Sequence, residues 1–343
     1  MNKDIQVLRF FAITFVLLLH TTFIVPDGLR YIYIKYERVF HSNTGVELFF
    51  VIAGYFTMRS LSKIRDDLPV QHRAYTAFSV VIKKFKRLSP SVYLWAAIPL
   101  IISVLTNNHS LWLEPSVMLQ KFLATVTYMT NFEISGKKSY FEYFWAVSLE
   151  VQFFIFFPTT YFLAGKRVSL IISAALAVLM AFFRPGGEFS WWFRFDGLLI
   201  GVLCYYFVND LIGQDNLKNL LKSTKRYKLL VAALGLSALA AIYNTLVLFP
   251  NFKSTAASII SFALVVMAVS QNNYFTMLPA YLTNIMVGIG NRSFALFCCH
   301  VPVWIGVRQL YESLNIQHGH LFTVQIVMMF IFAEITYRFV EKR

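Results

Sequence analysis

Runs of about 20 mostly apolar residues recur from one end of this chain to the other, and that is the length an α-helix needs to cross a bilayer. Nothing else in the sequence constrains the fold as strongly. Of the 343 residues, 57% are hydrophobic and only 14% are charged, which argues against a disordered chain and against an ordinary soluble domain. Ten spans fit the pattern, at about 5–25, 44–60, 88–105, 143–163, 168–183, 194–208, 229–248, 255–270, 293–310 and 321–340. The expected fold is an all-α, polytopic membrane helix bundle. It forms one transmembrane domain over 1–343 with no additional soluble domain. The stretch 117–132 is amphipathic and reads as a segment that dips into the membrane without crossing.

The N-terminus opens like a signal sequence, with Lys3 and Arg9 ahead of the apolar run Phe10–Leu19. No small-x-small cleavage site follows, so it reads as a retained first helix. The net charge of +14 does not call for nucleic acid, because membrane proteins concentrate Lys and Arg in cytoplasmic loops. The loop 61–87 carries Lys63, Arg65, Arg73, Lys83, Lys84, Lys86 and Arg87. The loop 209–228 carries Lys218, Lys222, Lys225, Arg226 and Lys228, and Lys166–Arg167 form a third basic spot. With ten spans all three fall on one side together with both termini, which predicts cytoplasmic ends. Cys204, Cys298 and Cys299 lie in apolar segments without metal-ligand spacing, and His318-x-His320 falls short of a metal site, so no metal is expected.

Arg9 and His20 are the most informative pair. At about 100° per residue, eleven steps bring the chain back to one helix face, displaced by about 16 Å. Arg9 then sits near the cytoplasmic surface and His20 well inside the membrane, where an ionisable side chain must be paired or face a polar cavity. A shaft shared by both would let an anionic, phosphate-bearing donor bind at Arg9 while its long arm reaches His20. A snorkelling Arg and a packed His are the plainer alternative.

Further segments occur in a set order. Gly45-Val46-Glu47-Leu48-Phe49-Phe50-Val51-Ile52-Ala53-Gly54 opens the second helix. Lys83-Lys84-Phe85-Lys86-Arg87-Leu88-Ser89-Pro90 precedes the third, and Trp145-Ala146-Val147-Ser148-Leu149-Glu150-Val151-Gln152-Phe153-Phe154 opens the fourth. Arg194-Phe195-Asp196 leads the sixth, and Ser293-Phe294…His300-Val301-Pro302 forms the ninth. In this order the chain resembles the membrane acyltransferase-3 family, whose members O-acylate surface carbohydrates. The family's Arg-x10-His matches Arg9 and His20. Its GVDLFFVxSG matches 45–54 with Glu47 for Asp and Ala53 for Ser. Its RRxxRIxP matches 83–90 with Lys83 and Lys84 for the two leading arginines, and Leu88 for Ile. Its WSLSxEEQFY matches 145–154, keeping Trp145, Ser148, Glu150, Gln152 and Phe153.

The resemblance implies an O-acyltransferase that takes acetyl from acetyl-CoA, used as a co-substrate, and gives it to a hydroxyl of a bacterial surface carbohydrate. It implies His20 as the catalytic base or acyl carrier, with Arg9 and Glu150 beside it. Arg9, Lys83, Lys84 and Arg87 are the expected donor-binding cations, although Lys lacks the bidentate fork of Arg. Glu150 is expected near the outer face, where the acceptor arrives. Ser148, Arg194, Asp196 and His300 are expected to support the site or the acceptor. Each also has a structural reading: Arg194 and Asp196, two apart on a helix, do not face each other and so bond elsewhere, and Pro302 kinks the helix that carries His300. Trp191-Trp192 and Tyr205-Tyr206 read as interfacial belt residues. A multispanning transporter or flippase, or an acyltransferase for a small lipid or peptide, are the alternative functions.

Overall fold

The computed structural model describes residues 2–64, 69–106, 108–133, 140–184, 192–222 and 226–342. Among them all regular structure is helical. Helix α1 (Lys3–His20) begins at Asn2, whose side chain accepts from the Asp4 N–H in the first turn. It lies at the centre of the bundle, against α3 (Gly45–Leu61), α12 (Lys253–Val269), α13 (Ala280–Asn291) and α14 (Ser293–Ser313). Around this core stand α4 (Val70–Leu105), α8 (Trp145–Phe183), α9 (Asp196–Tyr206), α11 (Lys228–Thr245) and α15 (Leu321–Thr336). Between α1 and α3 lies α2 (Asp27–Val39), which buries none of its residues. Large apolar side chains such as Leu105, Leu163, Phe182 and Phe183 stand exposed on the outside of the bundle. Lipid, not water, is the solvent that tolerates such a surface.

Seven described helices are long and apolar enough to cross a membrane, or eight if the bent pair Asp196–Ile212 and Gln214–Lys222 is one span. The ten expected from hydropathy is an approximate number, and two places account for the difference. Helix α3 is only 17 residues long. The spans expected at 143–163 and 168–183 are two helices that meet at Gly165, where φ is +76° and glycine has no Cβ to resist it, and Phe141–Phe183 enters the seven as a single stretch. The expected loop 61–87 is a correction too. From Val70 onward it is helix, running unbroken into the third span as the 36-residue α4. At about 1.5 Å per residue that is longer than a bilayer core is thick, so its first turns project beyond the apolar layer. The expected loop 209–228 likewise holds a π turn (Phe207–Ile212) and α10 (Gln214–Lys222), and Lys228 is a buried residue of α11 bonded to the Asn272 carbonyl. The stretch 117–132 forms the short helices α6 (Pro115–Val126) and α7 (Thr130–Glu133), neither long enough to cross. Arg65, Trp191, Lys225 and Arg343 lie outside the described residues.

Helices α3 and α9 cross in backbone contact. A Cβ at Gly54 would overlap the Leu198 carbonyl, and one at Gly201 the Val51 carbonyl. Gly197, one turn before Gly201, faces Phe50 and Ser258 in the same way. This is the small-residue packing that lets helix backbones approach where no water drives them together. The basic segments gather at one end of the bundle. There Lys166 donates to Asp210 at 2.5 Å, Asn272 donates to the Lys218 carbonyl at 3.0 Å, and Asn2 near the N-terminus donates to the Ala268 carbonyl at 2.7 Å. His20 marks the other end of α1.

Candidate active site

Six helices and the C-terminal turn surround a cavity of about 550 Å³ near the basic end of the bundle. Arg9 enters it from α1, Lys83, Lys84 and Arg87 from α4, Glu150 from α8 and Glu341 from the final turn. Val46, Phe49, Phe50 and Phe294 form much of its apolar wall. Lys83 and Arg87 are exposed, whereas Arg9, Lys84 and Glu150 are half-buried. The Lys84 ammonium lies 3.8 Å from the centre of the Phe154 ring, and Ser91 donates to Glu341 at 3.3 Å. Arg9 has one described hydrogen bond, to Gln6 at 3.3 Å, and also feels the charges of Arg87, Glu341 and Glu150. Four cations against two carboxylates leave the cavity net positive. Water excluded by apolar walls strengthens its pull on an anion.

The four cations expected to bind a donor therefore converge on one space. Glu150 does not lie where the sequence places it. Instead of standing at the opposite rim, it shares the cavity with Arg9, Lys84 and Arg87 and balances their charge. The reason is rotational: Glu150 lies between Val147, which also lines the cavity, and Phe154, over which Lys84 is stacked, on one face of α8.

His20 lies at the other end of α1 and does not line this cavity. Phe297 lines the cavity and also packs against Tyr143 and His300, so its ring lies between the cavity and the histidine pair. His20 instead meets His300 of α14, with Nδ1 of His20 3.0 Å from Nε2 of His300. Nδ1 of His300 is 2.8 Å from the Phe297 carbonyl, and His300 is completely buried. Tyr143 packs edge-on against both imidazoles, with ring centres 6.2 Å from His20 and 4.9 Å from His300. Its hydroxyl donates to the Cys298 carbonyl at 2.8 Å. That carbonyl is the one Pro302 cannot serve, since proline has no N–H to return to the residue four positions back. Pro302 thus explains why Tyr143 sits where it does, and Tyr143 is a site residue the sequence did not single out.

The other expected support residues hold the scaffold. Ser148 is buried and accepts from the Thr130 N–H at 3.3 Å, fastening α7 to α8. Arg194 donates to Glu47 at 2.9 Å through Nε and to Tyr243 at 2.8 Å, and its guanidinium lies 5.0 Å over the Trp145 ring. Asp196 accepts from Arg184 and from Thr255, each at 2.7 Å. As the i, i+2 spacing implies, the two belong to separate networks. Next to the first, His41 stacks on Tyr243 with ring centres 5.5 Å apart, and burial pushes its pKa below the ordinary imidazole value. Tyr206 is exposed, whereas Tyr205 turns inward and shares a 2.6 Å hydrogen bond with Ser62. Among the described residues no group of three or more His, Cys, Asp or Glu side chains is placed to hold a metal ion.

Comparison with known proteins places the chain in a family. The acyltransferase-3 family model, described as an acyltransferase domain, matches residues 2–337. The chain belongs to the acyltransferase-3 family. A relative in Staphylococcus aureus strain COL, carrying the name "Putative O-acetyltransferase", is 26% identical over 362 residues. The O-acetyltransferase OatA of Staphylococcus aureus strain NCTC 8325 / PS 47 is 25% identical over 357 residues. Both alignments cover 92% of this chain and 56% of the relative, so this acyltransferase-3 member spans little more than half the length of those proteins. No solved structure matches it.

Proposed function

We propose that this multi-pass membrane protein transfers an acetyl group from acetyl-CoA, entering at the basic end, to a hydroxyl of a bacterial surface carbohydrate at the His20 end. The observation that carries the reading is the convergence of Arg9, Lys83, Lys84 and Arg87 on one cavity at the foot of the helix that ends in His20. Phosphates and a long thioester arm are what such a cavity suits: cations at the mouth, apolar walls within. The basic end is then the cytoplasmic one, in the inner membrane, with both termini on that side.

In this reaction the acceptor O–H bond breaks as its oxygen attacks the thioester carbonyl. The proton goes to the unprotonated ring nitrogen of His20, the carbon–sulfur bond breaks, and the proton passes on to the departing CoA sulfur. Neutral imidazole is the side chain suited to such a shuttle near pH 7. Arg9 holds the donor, and Glu150 keeps the cation cluster from repelling itself when the site is empty. Phe297 lines the cavity and packs against His300, so that ring moves aside when the donor arm enters. The test is acetyl-CoA turnover by purified protein, with and without extracted surface glycan. We expect His20→Ala to abolish turnover and Arg9→Ala to weaken it severely. Wild-type turnover by His20→Ala would refute the reading.

A further inference from the structure

We propose that His300 is a positioning residue that fixes the tautomer of His20, keeping the proton on Nδ1 and the lone pair on Nε2. The argument follows the protons from the buried end outward. The Phe297 carbonyl can only accept, so the His300 nitrogen 2.8 Å from it, Nδ1, carries a proton. A neutral His300 then presents a lone pair at Nε2. Two bare nitrogens 3.0 Å apart would repel, so the hydrogen between the rings belongs to Nδ1 of His20. The Val16 carbonyl, one turn below, is a second acceptor near the His20 ring.

The surroundings hold His300 to this single role. It is fully buried and packed by Tyr143, Phe297 and Trp304, the last with ring centres 5.3 Å away at a steep angle. Tyr143 has spent its hydroxyl on the Cys298 carbonyl, so it cannot compete for either imidazole. When His20 takes up a proton at Nε2 it becomes an imidazolium whose Nδ1–H still donates to His300. A neutral acceptor thereby stabilises the cation without a buried carboxylate, whose desolvation would be costly at this depth.

This inference rests on the reading of His20 as the proton acceptor, but its first test does not. In the full-length protein labelled with 15N-histidine and held in detergent micelles, the His20 signals, assigned by their loss in His20→Gln, should show a protonated Nδ1 and a bare Nε2. His300→Leu should shift that ring toward the ordinary Nε2–H form. A wild-type His20 protonated at Nε2 would overturn the inference, whatever the protein catalyses. In acetyl-CoA turnover, His300→Leu should lower kcat on the order of 100-fold, as loss of positioned proton transfer does, with KM nearly unchanged. His300→Gln, whose amide oxygen can accept from Nδ1–H, should recover most of that loss. Equal kcat in the Leu and Gln variants would also sink the proposal. Absence of turnover in the wild type would instead sink the proposed function and leave the NMR result to decide the tautomer.

Discussion

Lys84 is the residue on which the electrostatics of the cavity turn. Its ammonium is half-buried, stacked on Phe154 and placed among Glu150, Arg87 and Arg9. A hydrogen bond to a charged group contributes about 1.5–3 kcal/mol. Lys84→Ala or Arg87→Ala should therefore raise KM for acetyl-CoA roughly 10- to 100-fold, with a smaller effect on kcat. Steady-state kinetics at two salt concentrations would check this, and the wild-type KM should rise with salt while the variants' KM rises less. Glu150 lies on the other side of that balance, among the cations of the cavity.

At the scale of elements, α14 shows how one proline shapes a site. Pro302 leaves the Cys298 carbonyl without its helical donor, and Tyr143, arriving just before α8, supplies the replacement. Tyr143→Phe removes that donor and leaves a buried carbonyl unpaired, at a cost of about 1–3 kcal/mol. Thermal unfolding in detergent should show the loss, and turnover should fall with it because that hydrogen bond holds the ring that packs against both His20 and His300. Helices α3 and α9 make the complementary case. Their glycines allow backbone contact, and that contact brings Glu47 of α3 to Arg194 just before α9.

At the scale of the molecule, the buried Glu47–Arg194 pair ties α3, the start of α9 and, through Tyr243, α11 into one unit. Breaking a buried ion pair from one side leaves an uncompensated charge and costs about 3–5 kcal/mol. Arg194→Leu should therefore lower the unfolding temperature sharply, and Glu47→Leu combined with it should restore a measurable part of the loss. The whole molecule also has a polarity. Arg9 near the N-terminus and Glu341 near the C-terminus line one cavity, so both ends of the chain lie at the basic end. If that end is cytoplasmic, a fluorescent protein fused after residue 343 should fluoresce and an alkaline phosphatase fused there should be inactive.

Hydropathy by itself determined that this is an all-helical membrane protein and where its spans lie, because length and apolarity act locally along the chain. Helical periodicity put Arg9 and His20 on one face, and the order of short motifs marked the family and the cations at 83–87. Only the tertiary structure decided what those groups meet. The linear sequence does not show that α4 continues unbroken from Val70, that Glu150 turns toward Arg9, or that Phe297 separates the cavity from His20. Nor does it show that His300, 280 positions away, hydrogen-bonds the histidine that ends α1. Each of these depends on how far one helix is rotated and shifted against another. That rotation is set by glycine contacts and buried pairs distant in sequence, which no local pattern encodes.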